Sequence, residues 1–228
     1  MAAWVKICGI RNVETIRELA RLPVDYAGLV FAPSKRQVTP EKAAQLAVAF
    51  AEARPVTPTR LVGVFVNPTL RELEETLSIV PLDVVQLHGS ETPEFCRLVR
   101  DEFGVGVFKA LAVPEHADDA GASIDMPDEY AGIADAILLD TYDPQASGGT
   151  GRTFRWPVIP AYREWAERSG VRLFVAGGLT PDNVGELIAE YRPHGVDVSS
   201  GVETNGIKDI AKITAFVERV KQHDQDHA

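Results

Sequence analysis

Apolar runs of strand length recur along the whole chain: Val5 to Cys8, Tyr26 to Phe31, Leu61 to Val66, Val84 to Leu87, Val105 to Leu111, Ala136 to Leu139, Arg172 to Ala176 and Val196 to Val198. Most are nearly continuous in Val, Ile, Leu and Phe rather than alternating with charge. That is the pattern of strands covered on both faces, and so paired in parallel. Between them lie helical patterns, among them Pro40 to Ala53, Leu70 to Ile79, Glu94 to Phe103, Pro157 to Arg168, Asp182 to Tyr191 and Ile207 to Lys221. Eight such units in 228 residues take about 28 residues each, close to the repeat of a (β/α)8 barrel of roughly 250 residues. A doubly wound sheet also alternates strand and helix, but eight strands without a second domain or long linker favour closure. The prediction is an α/β protein, a single (β/α)8 TIM barrel of parallel strands over residues 1–228 with its active site at the C-terminal face. Gly121, Pro127 and Gly132 break the pattern between Pro114 and Ile133, where a short helix is expected, and residues 222–228 read as a frayed polar tail.

Composition narrows the partners. A formal charge of -10 with no basic run interleaved with aromatics disfavours nucleic acid. No apolar stretch approaches membrane-spanning length, and Lys6 interrupts the first residues before a signal-type run can form, so a soluble cytoplasmic protein is expected. Cys8 and Cys96 make neither a disulfide framework nor a closely spaced metal pair, and Cys96, beside Phe95 and Leu98 on a helical pattern, reads as core.

In a barrel, chemistry belongs where strands end. Ser147-Gly148-Gly149-Thr150-Gly151 packs three glycines and two hydroxyls between a strand and a helix, a surface turn or a backbone able to approach an anion. Gly177 and Gly178 follow the seventh run, and Ser199-Ser200-Gly201 the eighth, the strands whose loops recurrently build a barrel phosphate site. Together they select Gly149, Thr150, Gly151, Gly177, Gly178, Ser200 and Gly201 as phosphate ligands, with Pro181-Asp182 and Asn205-Gly206 as helix starts. The loop lacks the Lys of a P-loop, and a small phosphorylated molecule suits it better than a nucleotide. Cys8 ends the first run and Asp140 follows the sixth. A thiolate and a carboxylic acid facing one pocket divide the work of base and acid, although Cys8 also fits a buried apolar role and Asp140 a turn cap. Arg36, in the loop after the second run, is a surface arginine or a bidentate carboxylate clamp. His88, closing the fourth run, orients a ligand or satisfies a backbone carbonyl. Asp197 lies inside the eighth run, where an unpaired charge is expensive, and requires a polar partner or a ligand hydroxyl.

Read together, Lys6-Ile7-Cys8-Gly9, Ser34-Lys35-Arg36, Gln86-Leu87-His88-Gly89, Leu138-Leu139-Asp140-Thr141, Gly148-Gly149-Thr150-Gly151, Ala176-Gly177-Gly178-Leu179 and Val198-Ser199-Ser200-Gly201-Val202-Glu203 closely resemble the phosphoribosylanthranilate isomerase family of tryptophan biosynthesis. The resemblance implies an aldose–ketose isomerase that converts N-(5-phosphoribosyl)anthranilate to 1-(2-carboxyphenylamino)-1-deoxyribulose 5-phosphate, an Amadori rearrangement without metal or organic cofactor. It implies that Asp140 protonates the furanose ring oxygen, that Cys8 as thiolate removes the C2′ proton, and that Arg36 holds the anthranilate carboxylate while the glycine loops hold the phosphate. Those roles require a raised pKa at Asp140 and a lowered one at Cys8. Isomerases that rely on paired carboxylates are disfavoured by Cys8 on the first strand, and a non-catalytic sugar-phosphate binder by the presence of both Cys8 and Asp140. Association as a monomer or a homodimer stays open.

Overall fold

The chain is described here by a computed structural model covering residues 3–113, 126–141 and 156–225, without the side chains of 223–225. Eight strands hydrogen-bond in chain order: β1 (Trp4–Cys8), β2 (Tyr26–Val30), β3 (Arg60–Phe65), β4 (Val84–Leu87), β5 (Gly106–Val113), β6 (Ala136–Thr141), β7 (Arg172–Val175) and β8 (Gly195–Val198). Every pair is parallel, and β8 returns to β1 with Lys6 opposite Asp197, so the sheet closes into the expected barrel.

Closure explains the apolar runs. Along each strand, side chains point alternately inward and outward, and both directions are buried. Outward residues such as Val5, Ile7, Leu29, Val85 and Leu87 join the layer packed under the helices. Inward residues, including Tyr26, Val62, Val64, Val84, Phe108, Leu138 and Phe174, fill the barrel. Tyr26 opens β2, and its ring lies 5.2 Å from Phe108 and 5.6 Å from Phe174, with Trp4 at the start of β1 against both Tyr26 and Phe174. The aromatics thus plug the end where the strands begin. The interior polar residues Lys6, Gln86, Asp140 and Asp197 are all buried, and Gln86, Asp140 and Asp197 line a cleft with Cys8.

Helices follow the strands: α1 (Val13–Leu19), α2 (Pro40–Glu52), α3 (Leu70–Leu77), α4 (Pro93–Phe103), α5 (Ile159–Ser169), α6 (Val184–Tyr191) and α7 (Ile210–Gln225). Their starts are chemically marked. Asn12, Thr39, Thr69 and Thr92 each accept a backbone N–H three residues on, satisfying a donor that the first helical turn leaves free. Pro40 and Pro93 occupy the first turn, where a missing N–H costs nothing. Of the weakly patterned stretch, the described part forms a single 3₁₀ turn at Asp128–Tyr130.

Two expected helix starts differ. Asn205 and Gly206 have φ of 53° and 76° and turn a hairpin between β9 (Glu203–Thr204) and β10 (Ile207–Lys208). Two successive left-handed residues make the tight hairpin turn for which Asn-Gly is the favoured sequence, so α7 starts at Ile210 rather than Ile207. Similarly, residues 181–183 form a turn in which Asn183 Oδ1 accepts the Thr180 N–H, delaying α6 to Val184. The expected polar tail begins inside α7 and ends outside the described residues.

Candidate active site

Where the strands end, the described residues form a cleft lined by Cys8, Arg36, Gln86, His88, Asp140, Gly177, Gly178, Asp197, Ser199 and Ser200 among others. The candidates at the ends of β1, β4, β6, β7 and β8, and in the loop after β2, therefore share one site. Gly149, Thr150 and Gly151 lie outside the described residues. Gly201 is not among the residues lining the cleft; a Cβ there would collide with the Leu179 carbonyl, so glycine lets the loops after β7 and β8 touch. Gly177 has φ of 79°, and a Cβ on it would run into Thr141 and come within 3.1 Å of Asp140 Oδ1. The N–H groups of Gly178, Ser200 and Gly201 have no acceptor among the described residues, which leaves them available to an anion.

Cys8 does not stand alone. Two residues back on the same inward face, Lys6 is wholly buried and places its ammonium 2.9 Å from Asp197 Oδ2. That ion pair is the partner Asp197 requires, and it leaves Asp197 Oδ1 buried without a hydrogen bond among the described residues. Burial works to discharge Lys6, but Asp197 and Cys8 outweigh it and raise its pKa. For Cys8 the balance goes the other way: burial raises the thiol above its ordinary value, Asp197 adds to the rise, and Lys6 and Lys208 only partly offset it. The lowered pKa expected at Cys8 is thus corrected: burial of the sulfur shifts the thiol upward rather than down.

Asp140 is also buried, at the penultimate position of β6. Its Oδ1 accepts the Thr141 N–H at 2.8 Å, and its Oδ2 faces His88 Nε2 at 3.3 Å. His88 does not satisfy a backbone carbonyl among the described residues: its other ring nitrogen, Nδ1, lies 2.9 Å from Gln86 Nε2. The loop carrying His88 is tied down from behind. Lys109 of β5 donates to the carbonyls of Gly89 and Leu87 and to Glu91 Oε2, and Glu91 accepts the N–H groups of Gly89 and Asn67.

Arg36 is buried rather than a surface side chain. Its Nε and one terminal nitrogen grip Glu203 at 2.7 and 3.0 Å, fixing the guanidinium and leaving its other edge free of Glu203. Lys208 reaches the same carboxylate at 2.8 Å and also donates to the Ser199 carbonyl. Burial raises the Glu203 carboxyl, but the hydrogen bonds and charge of Arg36 and Lys208 prevail and hold it down to about 2. In and beneath the cleft, Lys6, Arg36 and Lys208 stand with the carboxyl groups of Asp197, Glu203 and Asp140, so the cations are held by partners close at hand.

A stability consequence follows. Since the folded-state pKa of Glu203 lies below its ordinary 4.5, its contribution is complete above that pH and is lost as the pH falls towards about 2. Urea midpoints of the parent and Glu203→Gln are expected to lie far apart at neutral pH and to converge through that window. A gap that stays constant would show that the charge of Glu203 contributes nothing.

Lys6, Gln86, Glu203 and Lys208 escape a reading that looks only at strand ends. Lys6 carried a signal: a charge inside an apolar strand, like Asp197, with which it pairs. Glu203 and Lys208 flank the Asn-Gly turn whose hairpin brings them together.

The pattern of the N-(5'phosphoribosyl)anthranilate (PRA) isomerase family matches residues 5–219 of the chain. An N-(5'-phosphoribosyl)anthranilate isomerase of Brevibacillus brevis is 53% identical over 221 residues, covering 97% of this chain and 95% of that protein. Monomers generated from the dimeric phosphoribosylanthranilate isomerase of Thermotoga maritima superpose with a TM-score of 0.74 at 36% identity, covering 96% of this chain and 99% of theirs. A phosphoribosylanthranilate isomerase in complex with reduced 1-(o-carboxyphenylamino)-1-deoxyribulose 5-phosphate superposes with a TM-score of 0.71 at 34% identity, again over 96% and 99%.

Proposed function

The chain belongs to the N-(5′-phosphoribosyl)anthranilate isomerase family, and from that premise we propose that Asp140 and Cys8 are the acid and base of its reaction. It is an isomerase of tryptophan biosynthesis, converting N-(5′-phosphoribosyl)anthranilate to 1-(2-carboxyphenylamino)-1-deoxyribulose 5-phosphate. The observation that supports this assignment of roles is that one cleft is lined by Cys8 of β1, Asp140 of β6 and Arg36, whose guanidinium Glu203 fixes, beside backbone N–H groups that meet no acceptor among the described residues.

Asp140 gives its proton to the furanose ring oxygen, and the C1′–O bond opens to an iminium. The iminium withdraws electrons from C2′ and makes its proton acidic. Cys8, once its thiol has released its own proton to solvent, takes the C2′ proton as thiolate, leaving an enolamine that tautomerises to the ketose. Burial makes the Cys8 anion costly, and the cation that ring opening creates beside it offsets that cost. Arg36 holds the anthranilate carboxylate with its free edge, and the N–H groups of Gly178, Ser200 and Gly201, with Gly149, Thr150 and Gly151, hold the phosphate. His88 and Asp197 complete the wall around the sugar. Gripping both anions fixes the sugar between acid and base, which lowers the entropic part of the barrier.

Binding experiments separate the two grips. Arg36→Met is expected to weaken the reduced product analogue by about 10- to 100-fold, the worth of a charged hydrogen-bonded pair, and to leave affinity for inorganic phosphate unchanged. Equal weakening of both ligands would contradict a carboxylate clamp at Arg36.

A further inference from the structure

A line of polar contacts runs from β4 to Asp140, and the acid step as stated makes no use of it. Gln86 Nε2 lies 2.9 Å from His88 Nδ1, and His88 Nε2 lies 3.3 Å from Asp140 Oδ2. With the Gln86 amide nitrogen facing the ring, as placed here, Nδ1 is the acceptor. In a neutral imidazole the ring proton then sits on Nε2, facing the carboxyl. With the Thr141 N–H on Oδ1, both oxygens of Asp140 face N–H donors.

The value of such donors changes during the reaction. Towards a protonated, neutral carboxyl they are weak partners. Towards the carboxylate left after the proton departs, the same bonds become charge-assisted and about twice as strong. An interaction that strengthens as charge develops lowers the barrier without tightening substrate binding. Gln86 is bought at a cost, because its Oε1 is buried with no hydrogen bond among the described residues. An apolar side chain of the same size would avoid that cost and fill the same space.

We propose that Gln86 and His88 are positioning residues for Asp140: Gln86 fixes the ring tautomer, and His88 presents its Nε2–H to the carboxylate that proton donation leaves behind. The proposal rests on Asp140 being the acid.

The test compares Gln86→Glu, Gln86→Met, His88→Leu and His88→Gln in the full-length protein, beside Asp140→Asn. Steady-state kinetics, binding of the reduced product analogue and ¹⁵N NMR of the His88 ring are read on each. In the parent, NMR is expected to show the proton on Nε2 and none on Nδ1. Gln86→Glu offers only acceptors and draws a proton onto Nδ1, either turning a lone pair towards Asp140 or holding it ionised against an imidazolium. Its kcat is expected to fall about 10- to 100-fold, less than the roughly 10²- to 10⁴-fold of the proton transfer it supports, with KM and analogue affinity nearly unchanged. Gln86→Met loses less, His88→Leu loses as much as Gln86→Glu, and His88→Gln recovers part of the rate through its amide N–H. A proton on Nδ1 in the parent would overturn the proposal. So would equal losses in Gln86→Glu and Gln86→Met, the mark of a structural role, or parental kcat in His88→Leu while Asp140→Asn is inactive; in this last case the acid assignment survives. Parental kcat in Asp140→Asn would remove the acid assignment and this proposal with it.

Discussion

Asp140→Asn is expected to fold, to bind the reduced product analogue with parental affinity, and to lose kcat by about 10²- to 10⁴-fold, the usual contribution of a positioned acid. At 1.36 kcal/mol per tenfold this is about 3–5 kcal/mol of barrier. The substitution separates the two readings of this residue. As a turn cap, asparagine is as good as aspartate, and its oxygen can still accept the Thr141 N–H that Asp140 accepts at 2.8 Å. As an acid it fails completely, because an amide has no proton to give at any working pH. Steady-state kinetics beside analogue binding decides: parental kcat means a cap, and lost kcat with retained binding means an acid.

Cys8→Ala is the second large effect. The thiol lies in the inner apolar cluster, and alanine removes one sulfur from it, a modest change of volume. The fold and both anion grips are therefore expected to persist while kcat falls by about 10²- to 10⁴-fold, because nothing remains to take the C2′ proton. Serine is expected to do little better, since a hydroxyl is a far weaker proton acceptor than a thiolate. The thiol's resting state is testable in the same preparations by following alkylation with iodoacetamide against pH. Cys96, pushed up to about 11 by burial, supplies a slow background that the Cys8→Ala variant measures directly. The Cys8 rate is expected to rise only at pH above the ordinary thiol value of 9.0. A rise centred near neutral pH would show a thiolate formed without substrate and would contradict the upward shift of Cys8.

The parts of this protein that were legible in its sequence are those where local chemistry and global fold agree. Strands covered on both faces must be apolar throughout, so β1 to β8 stand out as runs. Helices that begin with a threonine cap followed by proline, as α2 and α4 do, declare their starts. Asn205-Gly206 fits either a helix entrance or a hairpin turn, and the hairpin is the stronger signal and the one the chain adopts. The site was legible as far as single residues at strand ends. What connects them was not, because the pairs are distant in sequence: Lys6 meets Asp197 across 191 positions, and Arg36 meets Glu203 across 167. Only closure of β8 onto β1 brings the first pair together. The protonation of Cys8 was hidden for the same reason, since it depends on how completely the folded chain excludes water from the sulfur.

The central claim is that this chain isomerises its substrate with two of its own side chains, one giving a proton and one taking it. The most direct test follows the loss of fluorescence of freshly made N-(5′-phosphoribosyl)anthranilate with chelator-treated parent, Cys8→Ala and Asp140→Asn in parallel. The account predicts turnover by the parent and near-background rates in both variants while each still binds the reduced product analogue. Parental turnover by either variant would contradict it.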